Sequence, residues 1–169
     1  MLTLAYAVVL ALVFKSSFAQ TLPNVASNAL PTGASVVSGS ATVSQSGNAM
    51  VINQTSNTMV ANWNSFNIGR DASVTFQQPS RSAVAINRIQ SMEPTQVQGQ
   101  LNANGQVVLV NPNGVIFANG SRVDVGSLIA STRDVTTTET ASGTTYQFSG
   151  TSSGPVSYTH LTLPTNREV

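Results

Sequence analysis

From Ser35 onward, short runs of Val, Ile, Phe, Thr and Ala alternate with Asn, Gly, Ser and Pro. This rhythm restricts the chain to a fold of many short strands joined by tight turns. Within the runs, apolar residues recur at every second position, as in Val74 and Phe76 or Val107 and Leu109. Helical periodicity is hard to find, so the sequence predicts an all-β domain.

Nine strands are predicted, at residues 41–45, 50–53, 59–63, 73–77, 83–88, 106–110, 115–118, 122–125 and 128–131. The alternation places Val84 and Ile86 on the inward face of their strand. It places Ala85, Asn87 and Gln106 on the outward face. Such a pattern predicts a sheet with one covered face.

Two architectures fit many short strands with polar turns: an antiparallel β-sandwich and a parallel β-helix. Asn and Gly at the strand ends favour the β-helix, because both accept left-handed backbone angles and stacked coils repeat such corners. These residues are Asn62, Asn64, Asn67, Gly69, Asn102, Asn104, Gly105, Asn111, Asn113, Gly114, Asn119 and Gly120. Coils of roughly 20 residues are compatible with the strand spacing.

The N-terminal residues 2–14 are apolar without interruption, and Ser17, Phe18 and Ala19 follow as a small-x-small pattern before Gln20. This arrangement predicts a signal peptide at residues 1–19, with cleavage between Ala19 and Gln20. The mature domain would then begin at residue 20, and the protein would be exported.

The C-terminal residues 156–169 read VSYTHLTLPTNREV. Their back-translation resembles a transposon-end adapter used to prepare sequencing libraries. We therefore expect this segment to be non-native, and we expect residues 20–155 to be a domain that is truncated at its C-terminal side. The only histidine, His160, lies within the segment.

Composition excludes several kinds of chemistry. The chain has no cysteine, so it has neither a disulfide framework nor a thiolate metal site. Residues 20–155 contain five arginines and five acidic residues, which gives a net charge of zero and no basic stripe for nucleic acid. The acidic residues are scattered rather than paired. We expect no enzymatic activity, no metal and no cofactor.

One motif, Asn111-Pro112-Asn113-Gly114, stands between two apolar strands. Proline fixes one backbone angle and Asn-Gly supplies the positive φ of a tight turn, so the local pattern predicts a structural corner. Similar turns are common, so this motif indicates a function only in combination with the motifs around it.

Those motifs occur in order over most of residues 30–134. They read LPTG (30–33), ATVSQSG (41–47), INQ (52–54), WNSFNIG (63–69), SAVAINR (82–88), PTQVQG (94–99), NGQV (104–107), VNPNGVIF (110–117) and AST (130–132). The set resembles the two-partner secretion domain at the N-terminus of filamentous-haemagglutinin-like exoproteins. Several of the motifs are long enough to be specific.

The resemblance implies a right-handed parallel β-helix with an N-terminal cap. It also implies a partner, the POTRA domains of an outer-membrane β-barrel transporter, which recognise the chain in the periplasm of a Gram-negative bacterium. The chain would cross the barrel unfolded, fold outside, and remain secreted or at the cell surface. The full protein would be an adhesin or haemagglutinin whose activity lies downstream.

The secretion motif carried over from the family is Asn111, Pro112, Asn113 and Gly114, with a weaker assignment to Ser65, Phe66, Asn67, Ile68, Gly69 and Arg88. Some members also bear an upstream N-P-N-L motif, whereas this chain has Glu93-Pro94-Thr95-Gln96 in the neighbouring region. We expect Trp63 and Phe66 to lie in the core. The alternatives are an adhesin module that binds glycans or host proteins directly, and a β-helix enzyme acting on polysaccharides, which would need paired carboxylates.

Overall fold

The computed structural model describes residues 23–140, 143–152 and 154–158, and its regular elements there are all strands. No helix in this part of the chain is long and apolar enough to cross a membrane. The strands are β1 (Ser35–Ser38), β2 (Ala41–Ser46), β3 (Ala49–Gln54), β4 (Thr58–Trp63), β5 (Ser73–Gln77), β6 (Val84–Ile89), β7 (Thr95–Val97), β8 (Gln100–Ala103), β9 (Gln106–Val110), β10 (Val115–Phe117), β11 (Arg122–Asp124), β12 (Ser127–Ser131), β13 (Asp134–Thr140), β14 (Gly143–Ser149) and β15 (Val156–Tyr158).

Three stacked sheets form the body of the molecule. The first sheet has the order β1-β4-β6-β9-β12, the second β2-β3-β5-β8-β11, and the third β7-β10-β15. Pairing between successive coils is parallel and in register, for example from Val60 to Ile86 and on to Val108. The result is a β-solenoid of about 3 turns. The predicted parallel β-helix is confirmed, and the antiparallel sandwich is wrong.

Antiparallel strands cover the N-terminal end of the solenoid. Strand β1 pairs with β4 and strand β2 pairs with β3, both antiparallel. The preceding segment is tied to the first coil, since the Gly69 amide donates to the Ala29 carbonyl at 2.9 Å and the Gln96 side chain donates to the Pro23 carbonyl at 2.9 Å. These strands and the segment before them form the predicted N-terminal cap.

The interior of the solenoid is a continuous apolar core. Each of the three sheets contributes an aromatic residue to it, and the turn after β4 contributes another. Trp63, Phe66, Phe76 and Phe117 are among its largest fully buried side chains. The Trp63 and Phe66 rings meet edge to face, with centroids 5.2 Å apart. The expectation that both residues belong to the core is confirmed.

The predicted faces of β6 are wrong. Val84 and Ile86 point away from the solenoid interior, into a second apolar cluster that also contains Val135. Ala85 is in the interior core, and Asn87 is fully buried. The reason is that the outer face of the first sheet is also covered, so both faces of β6 bury apolar side chains and alternation does not reveal which one faces the core.

The cover is an antiparallel hairpin formed by β13 and β14. It lies on the outer face of the first sheet, where Val135 packs with residues of β6 and β9 and Tyr146 packs against the rim of the cluster. The Tyr146 hydroxyl donates to Oε1 of Gln106 at 2.7 Å, and burial raises the pKa of Tyr146. Four buried side chains of the first sheet belong to this cluster: Val84, Ile86, Val108 and Val110.

Asn87 illustrates how a polar residue is accommodated inside the core. Its Oδ1 accepts a hydrogen bond from Nε1 of Trp63 at 3.0 Å, and its Nδ2 donates to the carbonyls of Ala85 and Val108, both at 3.2 Å. Buried amides are tolerated when they are hydrogen-bonded in this way. The outward assignment of Asn87 is therefore corrected together with that of its strand.

Two predictions concern the ends of the chain, the signal peptide at residues 1–19 and the non-native segment at residues 156–169. Residues 1–19, including the predicted cleavage site at Ala19 and Gln20, lie outside the described residues. Strand β15, which begins one residue after the predicted domain boundary at Pro155, pairs in parallel with β10, and Tyr158 stacks on Phe117 with centroids 4.9 Å apart. The assignment of residues 156–169 as non-native stays a prediction.

Candidate functional site

Three successive coils turn at the same corner of the solenoid, between the first sheet and the third. Register fixes the alignment, because Trp63 pairs with Ile89 on the next coil and Arg88 pairs with Val110 on the one after. We call the stacked turns at residues 64–66, 90–94 and 111–114 the motif corner. The motif corner brings the predicted secretion motif at residues 111–114 to one edge of the molecule. Ser65 and Phe66, from the weaker assignment, lie at the same edge.

Asn111 is the buried centre of the third turn, with 0% of its surface exposed. Its Nδ2 donates to the Glu93 carbonyl and to Oγ1 of Thr95, both at 3.0 Å. Its Oδ1 accepts from the Asn113 amide at 2.9 Å. All the hydrogen-bonding groups of this side chain are thus used inside the folded domain, and its amide links two coils.

Of the remaining residues of the motif, two lie at the surface and Gly114 is buried. Pro112 and Asn113 are exposed, and Nδ2 of Asn113 donates to the Ser91 carbonyl at 2.8 Å. The Gly114 amide closes the turn on the Asn111 carbonyl at 3.0 Å. Gly114 has a φ of 119°, and a Cβ there would lie 2.8 Å from the Pro155 carbonyl oxygen, so only glycine fits without strain.

The weaker motif divides between the corner and the inside of the third sheet. Ser65 bonds through its hydroxyl to that of Thr32 at 2.7 Å, and Phe66 is buried. Oδ1 of Asn67 accepts from the Gln96 amide at 2.8 Å, and Ile68 is buried as well. Gly69 lies against the N-terminal segment, where a Cβ would meet the Ala26 carbonyl oxygen at 2.3 Å. This motif holds the cap to the first coils.

Arg88 lies next to the motif corner along the chain, but its side chain lies on the outer face of the first sheet. Its Nε donates to Oδ1 of Asp134 at 2.8 Å, and its Nη2 donates to the Val135 carbonyl at 3.0 Å. The guanidinium therefore fastens the start of the hairpin to β6. Its assignment to partner recognition stays a prediction, whereas its contacts give it a structural role.

We expect Arg88→Met to destabilise the docked hairpin by about 1 kcal/mol and to make stability less sensitive to salt. The ion pair is half-exposed, with 32% and 53% of the two side chains accessible, so solvent screens most of its Coulomb energy. Urea unfolding at low and high ionic strength measures the change. A double-mutant cycle with Asp134→Asn that shows no coupling would contradict the assigned pairing.

The outer face of the second sheet carries a shallow depression of about 550 Å³. It is lined by Thr75, Phe76, Gln77, Gln78, Asn102, Ala103, Asn104 and Asp124. The lining contains a single carboxylate, whereas glycoside hydrolysis uses two. Among the described residues no group of His, Cys, Asp and Glu is arranged to hold a metal ion.

Sequence reasoning singled out Glu93-Pro94-Thr95-Gln96 as a departure from an upstream family motif, but it did not predict that the turn at residues 90–94 is part of the motif corner. Its carbonyls at Ser91 and Glu93 receive the side-chain amides of Asn113 and Asn111. Met92, between them, is 88% exposed. The signal available in the sequence was a lone methionine in a polar turn, which by itself has no structural meaning.

Comparison with known proteins shows which proteins this chain resembles. The model of a family described as the TPS secretion domain matches residues 27–164. Two proteins named heme/hemopexin-binding protein from Haemophilus influenzae are 47% identical over 106 residues and 45% identical over 86 residues. These matches cover 63% and 51% of this chain, but the chain spans only 12% and 9% of those proteins.

A solved structure also matches, that of the HMW1 secretion domain from Haemophilus influenzae. It has a TM-score of 0.60 and 34% sequence identity, and the match covers 63% of this chain and 28% of the solved chain.

Proposed function

The chain belongs to the family of TPS secretion domains, and from that membership we propose that it is the export domain of a larger exoprotein, recognised by the POTRA domains of an outer-membrane transporter. Domains of this family are recognised by a partner transporter in two-partner secretion, and their exoproteins are secreted by Gram-negative bacteria. The family is not known for enzymes. The proposal adds the POTRA contact and the passage through the periplasm.

The observation that carries the proposal is the motif corner. The family-like motif at residues 111–114 is held against the middle turn at residues 90–94, and the turn at residues 64–66 precedes both in the stack. One edge of the solenoid therefore presents residues from three coils. A partner that binds this edge contacts residues that only this fold brings together. Recognition at one edge leaves the end of the solenoid available for further coils.

The proposed export needs no nucleotide. In-register parallel pairing lets each coil act as a template for the next, and the paired backbone and buried core make the folded state on the far side of the barrel more stable than the chain in transit. Folding of the coils that follow the docked domain would then bias movement outward. We further infer that the full protein is an adhesin or haemagglutinin, with that activity in other parts of the protein.

Secretion with and without the transporter tests the proposal. The chain is expressed with and without its partner outer-membrane transporter, and the culture medium is assayed for the chain. We expect secretion to depend on the transporter and to fall at least about tenfold in Asn113→Ala, whose lost side chain frees the Ser91 carbonyl. Unchanged secretion after replacement of both Asn111 and Asn113 would remove the motif's assigned role.

A further inference from the structure

Of the large apolar side chains in the described part of the molecule, Met92 is the most exposed. It is 88% accessible, compared with 53% for Val37 and 52% for Tyr158, the next in order. A lone exposed apolar residue on a surface is unremarkable in itself. The position of this one, at the tip of the middle turn of the motif corner, gives it significance.

Three hydrogen bonds fix the turn that carries Met92. Asn113 donates to the Ser91 carbonyl at 2.8 Å, Asn111 donates to the Glu93 carbonyl at 3.0 Å, and the Glu93 amide donates to the Ser91 hydroxyl at 3.0 Å. The carbonyls on both sides of Met92 are therefore held by the two asparagines of the family-like motif. An apolar side chain presented on a fixed backbone loses little entropy when it binds.

The buried state of Asn111 limits how the motif can act in the folded domain. Its side chain is fully inside and fully hydrogen-bonded, so a partner docked on the folded surface does not reach it. The groups that a partner does reach at this corner are Met92, Glu93, Pro112 and Asn113, all of which are exposed. We call these four residues the docking tip.

We propose that the transporter docks on the folded docking tip, with Met92 as the apolar anchor, and that Asn111 and Asn113 act as positioning residues which hold the turn for it. The inference rests on the proposed function and concerns the docking step, before the chain threads the barrel. The chemistry of the tip defines its partner surface. A thioether side chain fits an apolar socket, and Glu93, the single charge in the turn, fits a cation at the rim of that socket.

Binding of the full chain to the purified periplasmic domain of its partner transporter tests this inference. We expect Met92→Ser to raise Kd at least about tenfold and Met92→Leu to change it less than about threefold, because anchor residues dominate small interfaces. The matched control is Val37→Ser, an exposed valine on the cap, which should leave Kd within about twofold. Urea unfolding is expected to be the same for all three variants.

A second arm separates docking on the folded tip from capture of an extended segment. We expect Asn111→Ala to weaken binding at least about fivefold, because it releases the carbonyl of Glu93 and frees the turn. If the transporter instead captures an extended segment, Asn111→Ala binds as tightly as the native chain or more tightly, since it exposes the motif. That outcome, or a native Kd in Met92→Ser, overturns the inference and leaves the proposed function intact. A native chain that neither binds the periplasmic domain nor needs the transporter for secretion overturns both.

Discussion

Asn111→Ala is expected to lower the free energy of unfolding by about 2–4 kcal/mol. The substitution removes a fully buried amide and leaves the Glu93 carbonyl, the Thr95 hydroxyl and the Asn113 amide without their partner. A buried polar group left unpaired costs about 1–3 kcal/mol, and this applies in full to the Thr95 hydroxyl, whereas the Glu93 carbonyl and the Asn113 amide are only part-buried. Urea unfolding followed by far-ultraviolet circular dichroism measures the loss.

The control for this prediction is Asn119→Ala, at another corner of the same coil. Asn119 is exposed and follows β10 as Asn111 follows β9. We expect its replacement to change the free energy of unfolding by less than about 0.5 kcal/mol. Equal effects of the two substitutions would show that Asn111 is an ordinary turn residue rather than a link between coils.

Val135→Asp is expected to detach the hairpin of β13 and β14 from the first sheet. Val135 is fully buried against the outer cluster, and a carboxylate there would be transferred from water into a group of valine and isoleucine side chains. We expect a loss of about 3 kcal/mol, from the removed apolar contact and the uncovered valines and isoleucine of β6 and β9. The exposed apolar face should bind 8-anilinonaphthalene-1-sulfonate, and trypsin should cleave after Arg133 several times faster.

Thr136→Asp provides the control on the same strand. Thr136 is exposed on the opposite face of the hairpin. An aspartate at this position therefore introduces the same charge one residue away, but in contact with solvent. Dye binding and tryptic cleavage should remain those of the native chain. If Val135→Asp behaves in the same way, the hairpin does not cover the first sheet in solution.

The contrast between β5 and β6 shows where sequence reasoning succeeded and where it failed. Both strands alternate, but Thr75 and Gln77 of β5 are polar, so the pattern correctly placed Val74 and Phe76 inside. In β6 the alternating set is Val84 and Ile86 against smaller or polar residues. The larger apolar pair was assigned to the core, although it is the pair that the hairpin covers.

The motif corner shows a similar division. The sequence indicated that residues 111–114 form a tight turn, because Pro and Gly restrict the backbone locally. It gave no indication that the turn at residues 90–94 lies beside them, since that neighbourhood follows from the register between β6 and β9. Short strands at the end of a coil, such as β7 and β8, were missed for the same reason, because their stability comes from the strands above and below them.

The sequence by itself determined that this chain is built of short strands with asparagine and glycine corners, and its motifs identified the secretion family. Those properties are local: alternation reflects the pleat of a single strand, and the turn residues reflect the backbone angles of a single corner. Only the tertiary structure decided that both faces of the first sheet are covered and that the Asn111 side chain faces inward. It also decided that Met92 stands at the edge shared by three coils. Such facts depend on which coils are stacked and in what register, and no segment of the chain carries that information alone.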